Sequence, residues 1–402
     1  MILTYKFRIY LTKEQEEKLN KHFGCARFVY NFFLNYSSIM YKKMNISTNY
    51  NNWACVLVRL KKTDKYAWLN EVNSQSLQQS LKDLECAFKN FFKKQAKHPK
   101  FKKKKNRQTF RVPQHIQLYM KEENPKYGYI FVPKFKEGIK VRVHRTLPDT
   151  FKIKNVTFEK TTTNKYYVSI VMEVPHVQIT NTSNDVLGID LGIKDTITLS
   201  NGEKYNLPDL KKYEKRLKRL HRQLSKKQKG SRNREKTRIR LARYIEKINN
   251  VKNDWIHKIT HKIVSESQVG KIVVEDLNIK GMLKSEKLAK YIHWQSWNKF
   301  IVILNYKAKR NGIELIKADR FYASSQRCSV CGYVNKEVKN LNIRKWVCPV
   351  CGTEHDRDIN AAINLTNYVL SQEKVGQELS EIKPVDHALA AERKVNSSVT
   401  MG

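Results

Sequence analysis

The sequence predicts an α/β chain preceded by a β-rich half: a small barrel broken by a helical insertion, then an α/β domain carrying a metal-binding insert. Three patterns predict it. Short alternating β segments fill residues 108–176. Apolar strands that carry an acid recur, with Asp190 in mid-run and Glu275 at a strand end. Two C-x2-C pairs, Cys328/Cys331 and Cys348/Cys351, are separated by sixteen residues.

The 402 residues suffice for two or three domains, and a hydrophobic fraction of 40% supports real cores. The formal net charge is +41, from 78 Lys+Arg against 37 Asp+Glu. No small metabolite needs a field of that size. A phosphate backbone does, because each neutralised phosphate releases condensed counterion. A ribosome-like or merely soluble basic protein is the plainer alternative. The opening "MILTYKFRIYLTKEQ" is too charged for a signal peptide, and no 18-residue apolar run exists to span a membrane. A cytoplasmic protein without membrane partners is the expectation.

Residues 2–10, "ILTYKFRIY", alternate as a strand. Thr12 with Gln15 three residues on forms a capping box that opens a helix. Helical spacing continues to about Phe92, as in "SLQQSLKDLECAFKNFF". If the first strand joins the later sheet, 1–12 and 93–180 form the barrel and 13–92 is inserted between its strands. Residues 93–107 carry nine Lys/Arg and no acid. Such a run is a solvated linker or a phosphate contact, which makes Lys102, Lys103, Lys104 and Lys105 candidates for the latter. "GYIFVP", "GIKVRVHR", "VTFEK" and "KYYVSIVMEV" are strands separated by turn residues. A polar linker, 175–186, follows.

From Lys211 to Asn250 there are 17 Lys/Arg and three Glu. Tyr213, Leu217, Leu220 and Leu224 form one helical stripe. Ile239, Ile245 and Ile248 form a second, beyond a loop at 226–234. This is a basic helical hairpin with one face on a core and one for phosphates, where Arg219 and Arg222 are candidates. A merely solvated hairpin is the alternative.

Asp190 stands among Val186, Leu187, Ile189 and Leu191, and a lone carboxylate in such a run is costly unless its charge is compensated. "KIVVE" repeats the design and ends at Glu275. A helix from about Trp294 to Asn311 and a strand at 313–318 follow. "HDRDINAAINLTNYVL" then starts a helix whose first turn holds Asp358, where the helix dipole favours negative charge. Small Ala361 and Ala362 allow this helix close to a sheet. Strand, strand, strand, helix, strand, helix, strand, helix is the order of the ribonuclease H fold, which brings these three positions to one sheet edge. Converging carboxylates disfavour each other's charge. Mg²⁺ or Mn²⁺ resolves this with hard oxygen ligands. Two such ions about 3.5–4 Å apart can clamp the attacking water and the leaving oxygen of a phosphodiester.

The spacing of Cys328, Cys331, Cys348 and Cys351 matches a zinc ribbon, with one structural Zn²⁺ held by thiolates at about 2.3 Å. Gly332 and Gly352 follow each second cysteine, where a tight turn favours glycine. Four cysteines leave no open position for catalysis. His355 is read as an active-site neighbour rather than a fifth ligand. Cys25, Cys55 and Cys86 are scattered singly and read as buried small hydrophobes.

"GIDLGIKD", "VVEDLNIKGM", "SSQRCSVCG…CPVCG" and "DRDINAAINL", in this order, resemble the TnpB/OrfB family of bacterial and archaeal insertion sequences, regarded as ancestral to type V CRISPR effector nucleases. The resemblance extends to "YKFRIYLTKEQEEKLNKHFGCARFVYNFFL" and covers nearly the whole chain. It implies an RNA-guided DNA endonuclease. A guide RNA derived from the transposon end directs it to double-stranded target DNA beside a short motif. The N-terminal half resembles a wedge barrel with an inserted helical recognition domain. Residues 181–370 resemble a RuvC-like nuclease domain with its zinc ribbon at 324–354. The RuvC-type acids carry over to Asp190, Glu275 and Asp358. Asp358 fits better than Asp356 because the pattern is Asp-x-Asn, with Asn360. Arg327 stands where many relatives have a smaller residue. A monomer is the expected state.

Three rivals differ in one feature each. A nuclease-dead guided repressor lacks one or more acids, and here all three are present. A DDE-type transposase orders its acids Asp, Asp, Glu, whereas this chain reads Asp, Glu, Asp. A non-enzymatic RNA-binding protein needs no converging acids. Gln78 and Gln79 on a recognition helix are candidates to read adenine edges, with a plain polar helix face as the alternative. Tyr50 is a further candidate. The tail, 371–402, lacks apolar periodicity and is expected to be disordered and dispensable for chemistry.

Overall fold

The structure, a computed structural model, describes residues 1–121, 124–175, 181, 183–284, 289–340 and 342–381. The chain divides into two compact units, one comprising Met1–Val177 with Leu220–Arg243, the other the rest. The tip of the basic hairpin thus groups with the first unit, although sequence order places it inside the nuclease-like domain.

In the first unit, β1 (Ile2–Tyr10) leads into α1 (Lys13–Met44), α2 (Tyr50–Lys61) and α3 (Ser74–Phe92). Then follow β2 (Gln108–Val112), β3 (Gln117–Met120), β4 (Tyr127–Val132), β5 (Phe135–Arg142), β6 (Lys152–Lys160) and β7 (Tyr166–Glu173). The strands form one antiparallel sheet in the order β2-β6-β7-β1-β5-β4-β3. β1 sits between β7 and β5, so in chain order α1–α3 fall between strands of one sheet. Among the described residues no ladder joins β2 to β3. The expected barrel is therefore a seven-stranded sheet with two edges around a single core. Strand alternation sends Tyr5, Phe7 and Ile9 into that core.

Helix α1 starts at the predicted capping box: the Thr12 hydroxyl accepts from the Gln15 N–H, and the Gln15 side chain accepts from the Thr12 N–H. Its first half buries Leu19, Phe23 and Ala26 against the sheet. Its second half buries Val29, Phe33 and Leu34 with Trp53, Leu57, Leu77 and Leu81 in a separate core. Each large apolar side chain so buried contributes about 1.5–3 kcal/mol, so the insertion carries its own stabilisation. Cys25 is buried, but Cys55 and Cys86 are exposed on α2 and α3. A cysteine's side is set by the stripe around it, and these two fall outside the apolar stripe.

The second unit runs β8 (Val186–Asp190), β9 (Ile197–Leu199), β10 (Lys204–Tyr205), α4 (Lys211–Ser225), α5 (Arg232–Glu266), β11 (Lys271–Glu275), α6 (Ile279–Met282), α7 (Ala289–Gln295), α8 (Trp297–Arg310), β12 (Glu314–Ala318), β13 (Lys345–Val347), β14 (Glu354–Asp356) and α9 (Arg357–Glu381), with the hairpin tip assigned as above. Its sheet has the order β10-β9-β8-β11-β12; β8, β11 and β12 are parallel, and β9 and β10 antiparallel. Ile272 and Val274 face a core shared with α5 and α8, while Val273 faces α9 with Leu365 and Val369. Both sheet faces are covered, which is why the strand reads as unbroken apolar sequence.

The helix expected from Trp294 is split. Ser296 adopts a left-handed conformation, φ 57°, between α7 and α8. At the other end, α9 continues past Leu370 to Glu381, beyond the expected start of a disordered tail. Residues 382–402 of that tail, and half of the predicted linker (176–180 and 182), lie outside the described residues. Truncation after Glu381 is expected to leave guided cleavage within about twofold, since the sequence beyond it lacks sustained apolar periodicity and follows the last helix of the α/β unit. A large loss in a truncate that folds and keeps zinc would show a functional tail.

α9 rests directly on β8. A Cβ built on Gly188 would lie 1.9 Å from the Ala362 carbonyl oxygen. Backbone cannot rotate away as a side chain can. Gly188→Ala is therefore expected to push α9 off the sheet, destabilising the protein by about 1–3 kcal/mol or more and displacing Asp358. Thermal melting checks the first effect; a variant that melts like wild type would contradict this packing.

Candidate active site and metal centre

Asp190 and Glu275 end neighbouring parallel strands, whose register pairs Val274 with Ile189 one residue earlier. Adjacent strands lie about 4.8 Å apart, so the two carboxylates leave the same sheet edge side by side. Asp358 joins them from the first turn of α9, held there by the close contact at Gly188. Burial pushes the Asp190 carboxyl well above the usual carboxylate range, and Glu275 and Asp358 push it further. Arg357 opposes them. Glu275 is raised by burial and eased by the Ser324 hydroxyl, which donates to Oε1, and by Arg357. Glu275 and Asp358 thus both lie close enough to Asp190 to disfavour its charge. Buried like charges that favour protons also favour cations, and an all-oxygen donor set suits Mg²⁺ or Mn²⁺.

The structure also separates the two acids of "DRD". Asp356 Oδ1 accepts from the Asp358 and Ile359 N–H groups at 3.1 and 3.2 Å, and its other oxygen pairs with Lys204 at 2.8 Å. Asp356 is spent capping α9. Burial disfavours its charge, but Lys204 and these N–H groups outweigh that and hold its pKa below the usual value. Asp358 is left to face the cluster, where Arg344 Nη1 approaches its two oxygens at 3.2 and 3.3 Å.

The four predicted zinc cysteines come together, with their sulfurs all within 4.8 Å of one another. Each knuckle closes through backbone N–H groups: Gly332 to Cys328 at 3.0 Å and Gly352 to Cys348 at 2.9 Å. Both glycines have positive φ, 80° and 70°, as the turn demands. β13 pairs with β14 beside the knuckles. His355 lies 3.1 Å from the Cys328 sulfur through Nε2, with its ring on Trp346. It contacts the ribbon cysteine rather than neighbouring the acids, because β-pairing turns it toward the ribbon.

The ribbon is latched to α9 by asparagines. Asn360 donates to the Arg327 carbonyl at 2.7 Å, and Asn364 to the Ser324 and Arg327 carbonyls at 2.8 and 2.6 Å. Sequence reasoning missed Ser324, Arg344, Arg357 and Asn364. One signal was present: Ser324 and Arg344 each stand four residues before the first cysteine of a knuckle, and each touches one acid.

The predicted nucleic-acid contacts divide. Gln78, Arg219, Arg222, Lys103, Lys104 and Lys105 are exposed, and Gln79 is half-buried on α3. Lys102 is used internally. Its ammonium lies 3.9 Å from the Tyr30 ring centroid, Asn31 clamps its backbone, and burial holds its pKa below the ordinary lysine value. Tyr50 packs against the helical core, with the Lys82 ammonium 5.5 Å from its ring.

Fold and site together define an α/β protein with a four-cysteine cluster that could hold a metal ion and three acids gathered near one sheet edge. Residues 297–365 match the family described as "Cas12f1-like, TNB domain", 169–286 one described as "Probable transposase", and 1–45 one described as "Helix-turn-helix domain". Residues 1–45 here form β1 and a single long helix rather than two helices and a turn. A protein of Streptomyces pristinaespiralis named "Putative RNA-guided DNA endonuclease" is 36% identical over 90% of this chain and 88% of its own. Escherichia coli "Putative RNA-guided DNA endonuclease InsQ" is 33% identical over 90% of both. The chain of a "Cas12f1-sgRNA-target DNA complex" shares the fold, with a TM-score of 0.55 at 15% identity over 91% of this chain and 99% of that one. This chain belongs to the TnpB/OrfB family. No helix among the described residues is long and apolar enough to cross a membrane.

Proposed function

We propose that the protein is an RNA-guided DNA endonuclease whose α/β unit is a RuvC-like, Mg²⁺-dependent nuclease. The observation that carries the reading is geometric: Asp190 and Glu275 end neighbouring parallel strands, and Asp358 on α9 is near enough to act with Glu275 on the Asp190 carboxyl, in a +41 chain. Its strand order and element order are those of the ribonuclease H fold. In this reading the three carboxylates hold the divalent ions, which when bound polarise the scissile phosphate and lower the pKa of the attacking water. Ser324 orients Glu275, Arg344 orients Asp358, and Arg357 moderates the charge of the cluster. Cys328, Cys331, Cys348 and Cys351 hold one structural zinc. Residues 1–12 and 93–180 act as the wedge and 13–92 as the recognition domain. Lys103–Lys105, Arg219 and Arg222 contact the phosphates of guide RNA or DNA. A guided repressor would need no such acid cluster.

The test is cleavage of target DNA by the purified ribonucleoprotein, with and without guide RNA and with and without Mg²⁺. Cutting that requires both supports the reading. Guided binding with no cutting at any divalent metal would establish the repressor instead.

A further inference from the structure

We propose that Phe321 is a stacking platform for one unpaired nucleobase of the DNA strand that enters the acid cluster, an inference that rests on the nuclease reading above. Phe321 is 89% exposed, the highest value for a large hydrophobic side chain among the described residues. A lone exposed aromatic is ordinary on a protein surface. This one is distinguished by where it stands and how it is held.

It lies in the loop between β12 and the ribbon, and both sides of that loop are pinned to the acid strand. Arg320 pairs with Asp276, the residue after Glu275. Ser324 donates to Glu275 itself. The loop backbone is fixed. The Phe321 N–H donates to Asp319 Oδ1 at 2.7 Å, the Tyr322 N–H to the Asp319 carbonyl at 3.1 Å, and the Ser324 N–H to the Tyr322 carbonyl at 2.9 Å. Tyr322 is turned inward: its hydroxyl donates to the Asn364 carbonyl at 3.1 Å and its ring packs on Tyr368. Of two adjacent aromatics, one is built into the fold and the other is held out from a rigid loop beside Glu275.

The chemistry selects the occupant. A stable protein interface needs a continuous patch, whereas here the ring stands beside Asp319 and Arg320 on its own loop. One phenyl face matches one base face, and the nearby cations Lys317 and Arg320 are engaged with Asp276, which leaves the ring itself as the contact the loop offers. Base–aromatic stacking contributes about 1–3 kcal/mol per base and tolerates any sequence, as an enzyme directed by base pairing elsewhere requires. The phenyl ring would fix the nucleotide beside the cut so that its phosphate meets the carboxylates. Phe321 is thus a positioning residue.

The experiment compares wild-type, F321A, F321L and F321W ribonucleoproteins on target DNA with a single abasic site at each nucleotide flanking the mapped cut. On intact DNA, F321A and F321L are expected to lose about tenfold in cleavage rate and F321W less than about threefold, given the stacking range above. Guided binding and zinc content should not change. At one flanking position the abasic site should slow wild type by a similar factor and leave F321A no slower. F321L keeps apolar bulk, so it carries the test if F321A is poorly folded. Wild-type rates in F321L, or losses that multiply at every position, would overturn the proposal. A wild-type complex that never cuts removes the nuclease reading itself, which is a different outcome.

Discussion

Replacing Asp190 with Ala is expected to lower guided cleavage by more than about a thousandfold and leave guide-dependent DNA binding intact. Loss of a group that merely supports a metal ligand costs about 10–100-fold, and Asp190 lies at the centre of the cluster, acted on by both other acids. Asp190→Asn separates charge from shape and adds a stability test. The folded pKa of Asp190 lies above its unfolded value, so the native state holds the proton more tightly. Without divalent metal, that contribution is fully present below the unfolded pKa and is lost as pH rises through the folded one. Metal-free wild type should therefore lose melting temperature relative to Asp190→Asn as pH rises from about 4 toward neutrality. Mg²⁺ should restore the wild type and do nothing for the variant. Equal pH slopes for the two proteins, or Asp190→Asn cutting near the wild-type rate, would remove Asp190 from the metal site.

Much of this site could be read from the sequence because its constraints are local. An acid in an apolar strand announces a compensated charge; β11 ends at Glu275 as expected, whereas β8 already ends at Asp190, which was expected in mid-strand. The pair Ala361 and Ala362 announced a close helix, and the structure adds the matching half of that contact, Gly188. The knuckle glycines and the Thr12 capping box were legible for the same reason: each is a backbone requirement met within four residues. What could not be read depends on partners distant in sequence. Arg344 looks like any basic residue until β13 and α9 place it on Asp358. Lys102 belongs to a run of identical lysines, and only Tyr30 and Asn31, some seventy residues earlier, set it apart. The hairpin tip carries the same basic, stripe-bearing sequence as its base, yet it belongs to a different unit. Ser296 breaks a helix that its side-chain pattern continues.

Zinc removal should disable the acid cluster without touching its carboxylates. Wild-type protein is expected to contain about one zinc per chain by elemental analysis, and Cys348→Ser close to none. A structural zinc contributes on the order of 10–16 kcal/mol of apparent binding energy in finger peptides, so a ribbon lacking it will not hold its knuckles. The consequence reaches further than the ribbon. Ser324 and Arg344 lie at equal offsets before the two knuckles, and they fix Glu275 and Asp358. Asn360 and Asn364 tie the same segment to α9, whose first turn carries Asp358. When the knuckles open, two of the three acids lose their orienting partners. Guided cleavage should then fall with zinc content while guide RNA binding persists. A chelator selective for zinc over magnesium should reproduce the loss, and added Zn²⁺, not Mg²⁺, should reverse it. Arg344→Ala should keep its zinc and still lose about 10–100-fold in rate, the range for a residue that orients a metal ligand. Zinc-free protein that cuts at the wild-type rate would show the ribbon and the acids to be independent, and full activity in Arg344→Ala would break the link at Asp358.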